Sequence, residues 1–201
     1  MVMVNNISGV ILAGGANSRF NGIVKANIVI GGRTIISGAV NTLKEIFTEI
    51  IIVTNTPEEF TEYADYKIVS DILMNKGPLG GIHAALKAAS GEAVFVFAGD
   101  MPFPDKDIIV SLLNSFTGNK CEILIPITGD YIEPLHAIYS KSILKNIEDY
   151  LEADNKNAIR DFIKVVRTSY LPLEDSEKTR KAFSNINSPD DLAAMEKLMN
   201  N

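Results

Sequence analysis

Six apolar residues, Ala93-Val94-Phe95-Val96-Phe97-Ala98, run without a polar interruption and stop at Gly99-Asp100. A run this short, closed by a glycine and an acid, reads as a strand buried within a sheet. The pattern repeats along the chain. Gly9 to Ala13 is another short apolar run ending in glycines, and Glu49 to Val53 is a compact β-branched one. Between them, Ile35, Ala39, Thr42, Leu43 and Ile46 recur at helical spacing across Thr34 to Phe47. A helix opening at Pro57, a strand at Tyr66 to Val69, a loop from Asp71 to Pro78 and a helix over Leu79 to Ala89 lead into the Ala93 run. After it come a helix over Pro104 to Ser115, a strand at Cys121 to Ile125 and an extended segment at Glu133 to Tyr139. Helical patterns at Ser140 to Leu151 and Asn157 to Val165 precede a short strand at Val166 to Tyr170. Ser188-Pro189-Asp190-Asp191 then brings a capping hydroxyl, an N1 proline and two carboxylates to the start of a last helix. Strands alternating with helices predict a three-layer α/β sandwich whose mostly parallel central sheet is covered on both faces. With no internal repeat, low-complexity tract or linker, residues 1–201 are expected to form a single domain.

The charge balance narrows the partners. Nineteen basic residues against 25 acidic ones leave a net charge of −6, and no Lys/Arg stripe could track a phosphate backbone, so nucleic acid is not expected. An acidic chain that handles a polyanionic small molecule must gather positive charge locally, through a divalent cation or a few placed Lys and Arg. Cys121 is the single cysteine; it excludes an internal disulfide and lacks the Cys/His company of a structural zinc site. No apolar run reaches the length of a membrane span or signal-peptide core. A cytoplasmic location without membrane contact is expected.

Ligands of open parallel sheets bind beyond the carboxyl ends of the strands. Three unusual sequences fall at such ends: Leu12 to Lys25, Asp71 to Pro78, and Gly99-Asp100-Met101-Pro102. In the first, Gly14 and Gly15 let backbone N–H groups approach an anion, Arg19 can grip oxygens bidentately, and Lys25 can fold back as a point charge. A bare Gly-Gly pair is equally a surface turn, but this one directly follows a buried strand. Its spacing is neither that of a Walker loop nor that of a dinucleotide fingerprint. Asp100 belongs at the mouth of the sheet, where it could hold magnesium together with triphosphate oxygens, or cap the helix at Pro104. Asp71 carries the same two readings, with Gly77-Pro78-Leu79-Gly80-Gly81 behind it offering close backbone approach to a ligand. His83 and His136 have no Ser or Cys nucleophile beside them and read as structural or substrate-edge residues, and Lys141, Lys145 and Lys164 read as solvated helix faces.

Five segments taken in order carry a family resemblance: Leu12-Ala13-Gly14-Gly15 with Arg19 and Lys25; Asp71 with Gly77-Pro78-Leu79-Gly80-Gly81-Ile82; Asp100-Met101-Pro102-Phe103; Glu133-Pro134-Leu135; and Asn185-Ile186-Asn187-Ser188-Pro189-Asp190-Asp191-Leu192. Together they resemble the molybdenum cofactor guanylyltransferases over nearly the whole chain. The opening loop alone is shared by sugar-nucleotide and cytidylyl enzymes, so the ordered set is what narrows the match. Two departures stand out: Arg19-Phe20-Asn21-Gly22 where the family usually has Arg-Met-Gly, and Val24 where an aspartate commonly precedes the lysine. The resemblance implies a Rossmann-like sandwich and magnesium-dependent transfer of GMP from GTP to the terminal phosphate of molybdopterin, with release of pyrophosphate. Molybdoenzyme-maturation proteins would be further partners. By position, Leu12, Ala13, Gly14, Lys25 and Asp71 would contact GTP, Asp100 would hold Mg²⁺, and Asn185 and Asn187 would lie on the acceptor side. Lys25 and Asp100 would be the catalytic pair. Two other readings stay open: a transferase that uses CTP or another small phosphorylated acceptor, and a non-catalytic carrier of the cofactor.

Overall fold

The computed structural model describes residues 6–14, 23–153 and 158–199. Its first half contains β1 (Ile7–Leu12), the short strands β2 (Val29–Ile30) and β3 (Arg33–Thr34), α1 (Ile35–Leu43), β4 (Ile50–Val53), β5 (Lys67–Val69), α2 (Gly77–Ala88) and β6 (Ala93–Ala98). The second half adds α3 (Lys106–Thr117), β7 (Ile123–Thr128), β8 (Tyr131–Ile132), β9 (His136–Ser140), α4 (Leu144–Glu152), α5 (Ile159–Phe162), β10 (Thr168–Pro172), α6 (Glu177–Ala182) and α7 (Pro189–Met199).

Along each central strand the side chains alternate between two cores, as the period of a strand requires. Ile11, Ile52, Phe95 and Phe97 enter one core, which α1 and α3 complete with Ile36, Leu43, Ile109 and Leu112. Val10, Ile51, Val94 and Val96 enter the other, closed by α2, α4 and α5 through Leu79, Ile82, Ile147 and Phe162. These are the three layers expected, with strand order β10-β7-β9-β6-β1-β4-β5 and β8 paired to β7. β1 lies parallel to both β4 and β6, so the chain reverses its direction of growth across β1 and β6. That reversal sets Leu12 and Ala98, the ends of the two strands, side by side.

Several boundaries differ from expectation for local reasons. The helix expected to reach Phe47 ends at Leu43, yet Ile46 and Phe47 stay buried, and Phe47 stacks on Phe95 at 5.6 Å. The helix at Pro57 is a 3-10 segment with a kink at Phe60. α2 begins at Gly77, so Pro78 lies in its first turn and not in a loop. The extended Glu133 segment becomes β9, which runs antiparallel between β6 and β7. β2, β3, β8 and α6 are too short to leave a periodic signal. A third, small cluster of Ile28, Ile30, Ile35 and Ile186, covered by Leu192 and Met195 of α7, fastens the C-terminal helix to the β2–β3 hairpin.

Candidate active site

The ends of β1, β4, β5 and β6 open on a cleft of about 480 Å³, lined by Leu12, Ala13, Gly14, Lys25, Asp71 and Asp100 among others. Its volume suits a nucleotide-sized ligand. A second cleft of about 230 Å³ lies beside it, lined by Met101, Glu133, Arg160, Asn185 and Asn187. Ala98, Asp100 and Leu135 line both, so Asp100 stands at the junction. Gly15 and Arg19 lie outside the described residues.

Asp100 owes its place to two backbone bonds. The Gly99 N–H donates to the Leu12 carbonyl at 2.9 Å, and the Asp100 carbonyl accepts from the Ile186 N–H at 2.9 Å. A Cβ on Gly99 would sit 2.7 Å from the Leu12 carbonyl oxygen, which as backbone cannot turn aside. Gly99→Ala is therefore expected to lower the unfolding free energy by about 1–3 kcal/mol and to weaken GTP binding, since it drives Asp100 away from the first strand. Chemical denaturation and nucleotide titration would detect the two effects; an unchanged stability would refute the close approach. The cap of α3 is Asp105, whose carboxylate accepts from the Asp107 and Ile108 N–H groups, and so the capping alternative for Asp100 falls away.

Lys25 emerges from a 3-10 turn held down by buried Val24 and Ala26. Its ammonium lies 3.0 Å from Asp100 Oδ2 and donates to Asn187 Oδ1 at 2.7 Å. One side chain thus joins the loop after β1, the end of β6 and the entry to α7. At that entry the Asp191 carboxylate accepts from the Asn187 and Ser188 N–H groups, while Ser188 Oγ accepts from the Asp191 N–H. This is a capping box with aspartate in the place of glutamate. The N–H bonds, led by that of Asn187, hold the Asp191 carboxyl below its ordinary range.

Asp71 is oriented by Asn55, two residues beyond β4 and not among the residues expected from the sequence. Asn55 Nδ2 donates to Asp71 Oδ2 at 3.1 Å, and Asn55 Oδ1 accepts from the Asp71 N–H at 3.0 Å. The signal was available, because Asn55 follows the end of a buried strand just as the other site residues do. Of the Gly77-Pro78-Leu79-Gly80-Gly81 segment expected to approach a ligand, Gly77, Pro78 and Gly81 line the first cleft, and all five residues lie within α2. A Cβ on Gly80 would meet the Leu73 carbonyl in the segment before α2 at 3.0 Å, and one on Gly81 the Leu12 side chain at 3.2 Å, so Gly80 lets α2 fold onto that segment and Gly81 lets it sit close to β1. Arg160 was also missed; nothing in its local pattern separates it from a solvated helix face. In the second cleft it opposes Glu133, whose carboxyl is pushed above its ordinary range by burial, partly offset by the Arg160 guanidinium. Asn185 lines the same cleft, with Nδ2 donating to the Phe183 carbonyl at 3.4 Å.

The histidines do not reach the reacting region. His83 Nε2 meets Glu148 of α4 at 3.2 Å. His136 is fully buried against Phe95, Phe97 and Phe183, and neither ring nitrogen has a hydrogen-bond partner among the described residues. Among those residues no group of three or more His, Cys, Asp and Glu side chains could hold a metal by itself. No helix among them is long and apolar enough to cross a membrane.

A family model described as a MobA-like NTP transferase domain matches residues 9–171. A relative from Peptoclostridium acidaminophilum, named a probable molybdenum cofactor guanylyltransferase, is 42% identical over 182 residues, covering 88% of this chain and 79% of the relative. One of the same name from Natranaerobius thermophilus is 34% identical over 203 residues, covering 98% of each. The crystal structure of molybdopterin-guanine dinucleotide biosynthesis protein A from Archaeoglobus fulgidus superposes with a TM-score of 0.82 at 26% identity, covering 96% of this chain and 99% of that one. The family model matches most of the chain and the second relative nearly all of it, and this chain belongs to the molybdenum cofactor guanylyltransferases of the MobA-like NTP transferase family.

Proposed function

We propose that the first cleft takes GTP, the second takes the terminal phosphate of molybdopterin, and GMP passes between them at Asp100. The observation that carries this reading is the junction itself: Asp100 lines both clefts, bridged by Lys25 to Asn187 on the acceptor side. An oxygen of the acceptor phosphate forms a bond to the α-phosphorus while the bond from that phosphorus to the bridging oxygen of the β-phosphate breaks, and pyrophosphate leaves. The attacking oxygen is already anionic and needs no strong base, so the residues must hold two anions together and neutralise the leaving group. Lys25 offers its ammonium to the departing phosphates, Gly14 lines the donor cleft beside open space, and Arg160 is the one cation among the described residues lining the acceptor cleft.

The donor set fits Mg²⁺, which favours one or two carboxylates completed by phosphate oxygens and water. Asp100, an all-oxygen ligand already facing a cation, would hold it, and the ion would supply charge neutralisation at the transferred phosphorus. Asp71 and Asn55 bear on the base. With Oδ2 engaged by Asn55, Asp71 Oδ1 remains an acceptor suited to the N–H donors that guanine presents and cytosine lacks at the matching edge.

GTP at about 100 times its dissociation constant is expected to raise the melting temperature by about 5–10 °C, with CTP at the same concentration giving far less. Equal protection by CTP would overturn the guanine assignment. Pyrophosphate release on mixing GTP, Mg²⁺ and molybdopterin tests the transfer, and a carrier would release none.

A further inference from the structure

The Lys25 bridge has a second property, set by where its charge lies. The ammonium lies against the Asp100 carboxylate at 3.0 Å and is pinned from its other side by Asn187 Oδ1 at 2.7 Å. Both members of the ion pair are about three-quarters shielded, with side-chain exposures of 24% and 26%, so solvent screens the contact only in part. Val24 and Ala26, buried on either side of Lys25, limit how far the backbone can carry the ammonium away. A second cation approaching the same carboxylate meets a like charge already seated there.

We infer that Lys25 is a resident counter-ion that keeps a divalent cation off Asp100 until a triphosphate draws the ammonium away. This rests on the reading of Asp100 as the metal ligand and adds an order of events to it. A divalent ion arriving alone binds Asp100 poorly, because it must displace Lys25 without offering the ammonium another anion. The arriving polyphosphate provides that anion. The ammonium then exchanges Asp100 and Asn187 for phosphate oxygens, and both side chains become available together, one to the metal and one to the acceptor. The donor half thereby unlocks the acceptor half, and neither substrate meets a half-assembled centre.

The test uses Mn²⁺ alone as probe, titrated into the ligand-free full-length chain and followed by the electron paramagnetic resonance signal of the free ion. Lys25→Met is expected to bind Mn²⁺ about tenfold more tightly than the parent, equivalent to about 1.4 kcal/mol. Lys25→Arg, which keeps the charge, is expected to stay within about threefold of the parent. Adding Asp100→Asn to Lys25→Met is expected to abolish the gain. The same Lys25→Met protein should bind tripolyphosphate more weakly than the parent, and general loosening of the fold would not produce these opposite changes together. If Lys25→Met gains no Mn²⁺ affinity while Asp100→Asn lowers it, the metal stays on Asp100 and the counter-ion inference falls. If Asp100→Asn changes nothing in either background, the metal assignment falls and takes the inference with it. A gain in Lys25→Arg equal to that in Lys25→Met would also overturn the inference, since charge would not be its cause.

Discussion

Asp100→Asn is expected to lower kcat/KM for GMP transfer about 10³-fold while changing the unfolding free energy by no more than about 1 kcal/mol. The two figures differ because the carboxylate does two unequal things. In the resting protein it forms one partly exposed ion pair with Lys25, a contact of modest worth. In the proposed reaction it would face charge developing on phosphate oxygens in the cleft, where a fixed charge or a metal it held would matter far more. The backbone that places residue 100, through the Gly99 N–H and the Asp100 carbonyl, is untouched by the substitution. Steady-state pyrophosphate release and a denaturant melt measure the two quantities. A variant with near-parental kcat/KM would remove Asp100 from the chemistry.

His136 gives the second large effect, on stability alone. Burial holds its imidazole well below the ordinary value, down to about 3, with no hydrogen bond to either ring nitrogen among the described residues. The unfolded chain takes up a proton near 6.5 and the folded chain does not until about 3, so between those values the unfolded state binds more protons. Stability from this residue is complete above 6.5 and is lost as the pH falls, by up to about 1.4 kcal/mol per pH unit. His136→Phe keeps the ring contacts to Phe95, Phe97 and Phe183 and removes the titration. The variant is expected to show a shallower decline in unfolding free energy between pH 6 and pH 4 than the parent, measured by urea melts at each pH. Parallel declines would mean that the imidazole finds a proton-accepting partner in the folded protein.

What could be read from the chain alone follows from the reach of each signal. The Ala93 to Ala98 run and the β-branched run ending at Val53 announce central strands because both of their faces are buried, and a parallel sheet leaves no other use for such runs. Lys25, Asp71 and Asp100 were legible because each follows a strand, and the strand ends gather at one edge of the sheet. The bridge from Lys25 to Asn187 was not, since 162 residues separate its partners and only the small core around Ile186 brings α7 to the lysine turn. Asn55 was within reach by the same strand-end rule, though nothing in its flanks marks it as a partner of Asp71. Arg160 lies on a four-residue helix whose composition resembles any solvated surface. The antiparallel sense of β9 was beyond reach as well, because an apolar run carries no mark of the direction in which it will be laid down.

That direction has a consequence for how the two clefts are walled. Because β9 enters the sheet against β6, with His136 opposite Phe97, it is the segment preceding the strand that arrives at the clefts. Glu133, Pro134 and Leu135 therefore belong to a hairpin return from β7 and β8, tethered outside the β1–β6 pair that positions Asp100. The return is pinned at both ends: the Glu133 N–H donates to the Pro126 carbonyl at 3.1 Å, and the Tyr139 hydroxyl donates to the Pro134 carbonyl at 2.7 Å. One wall of the second cleft is thus laid down by a returning chain and the floor of the first by strands of the parallel core, and the two meet at Ala98, Asp100 and Leu135.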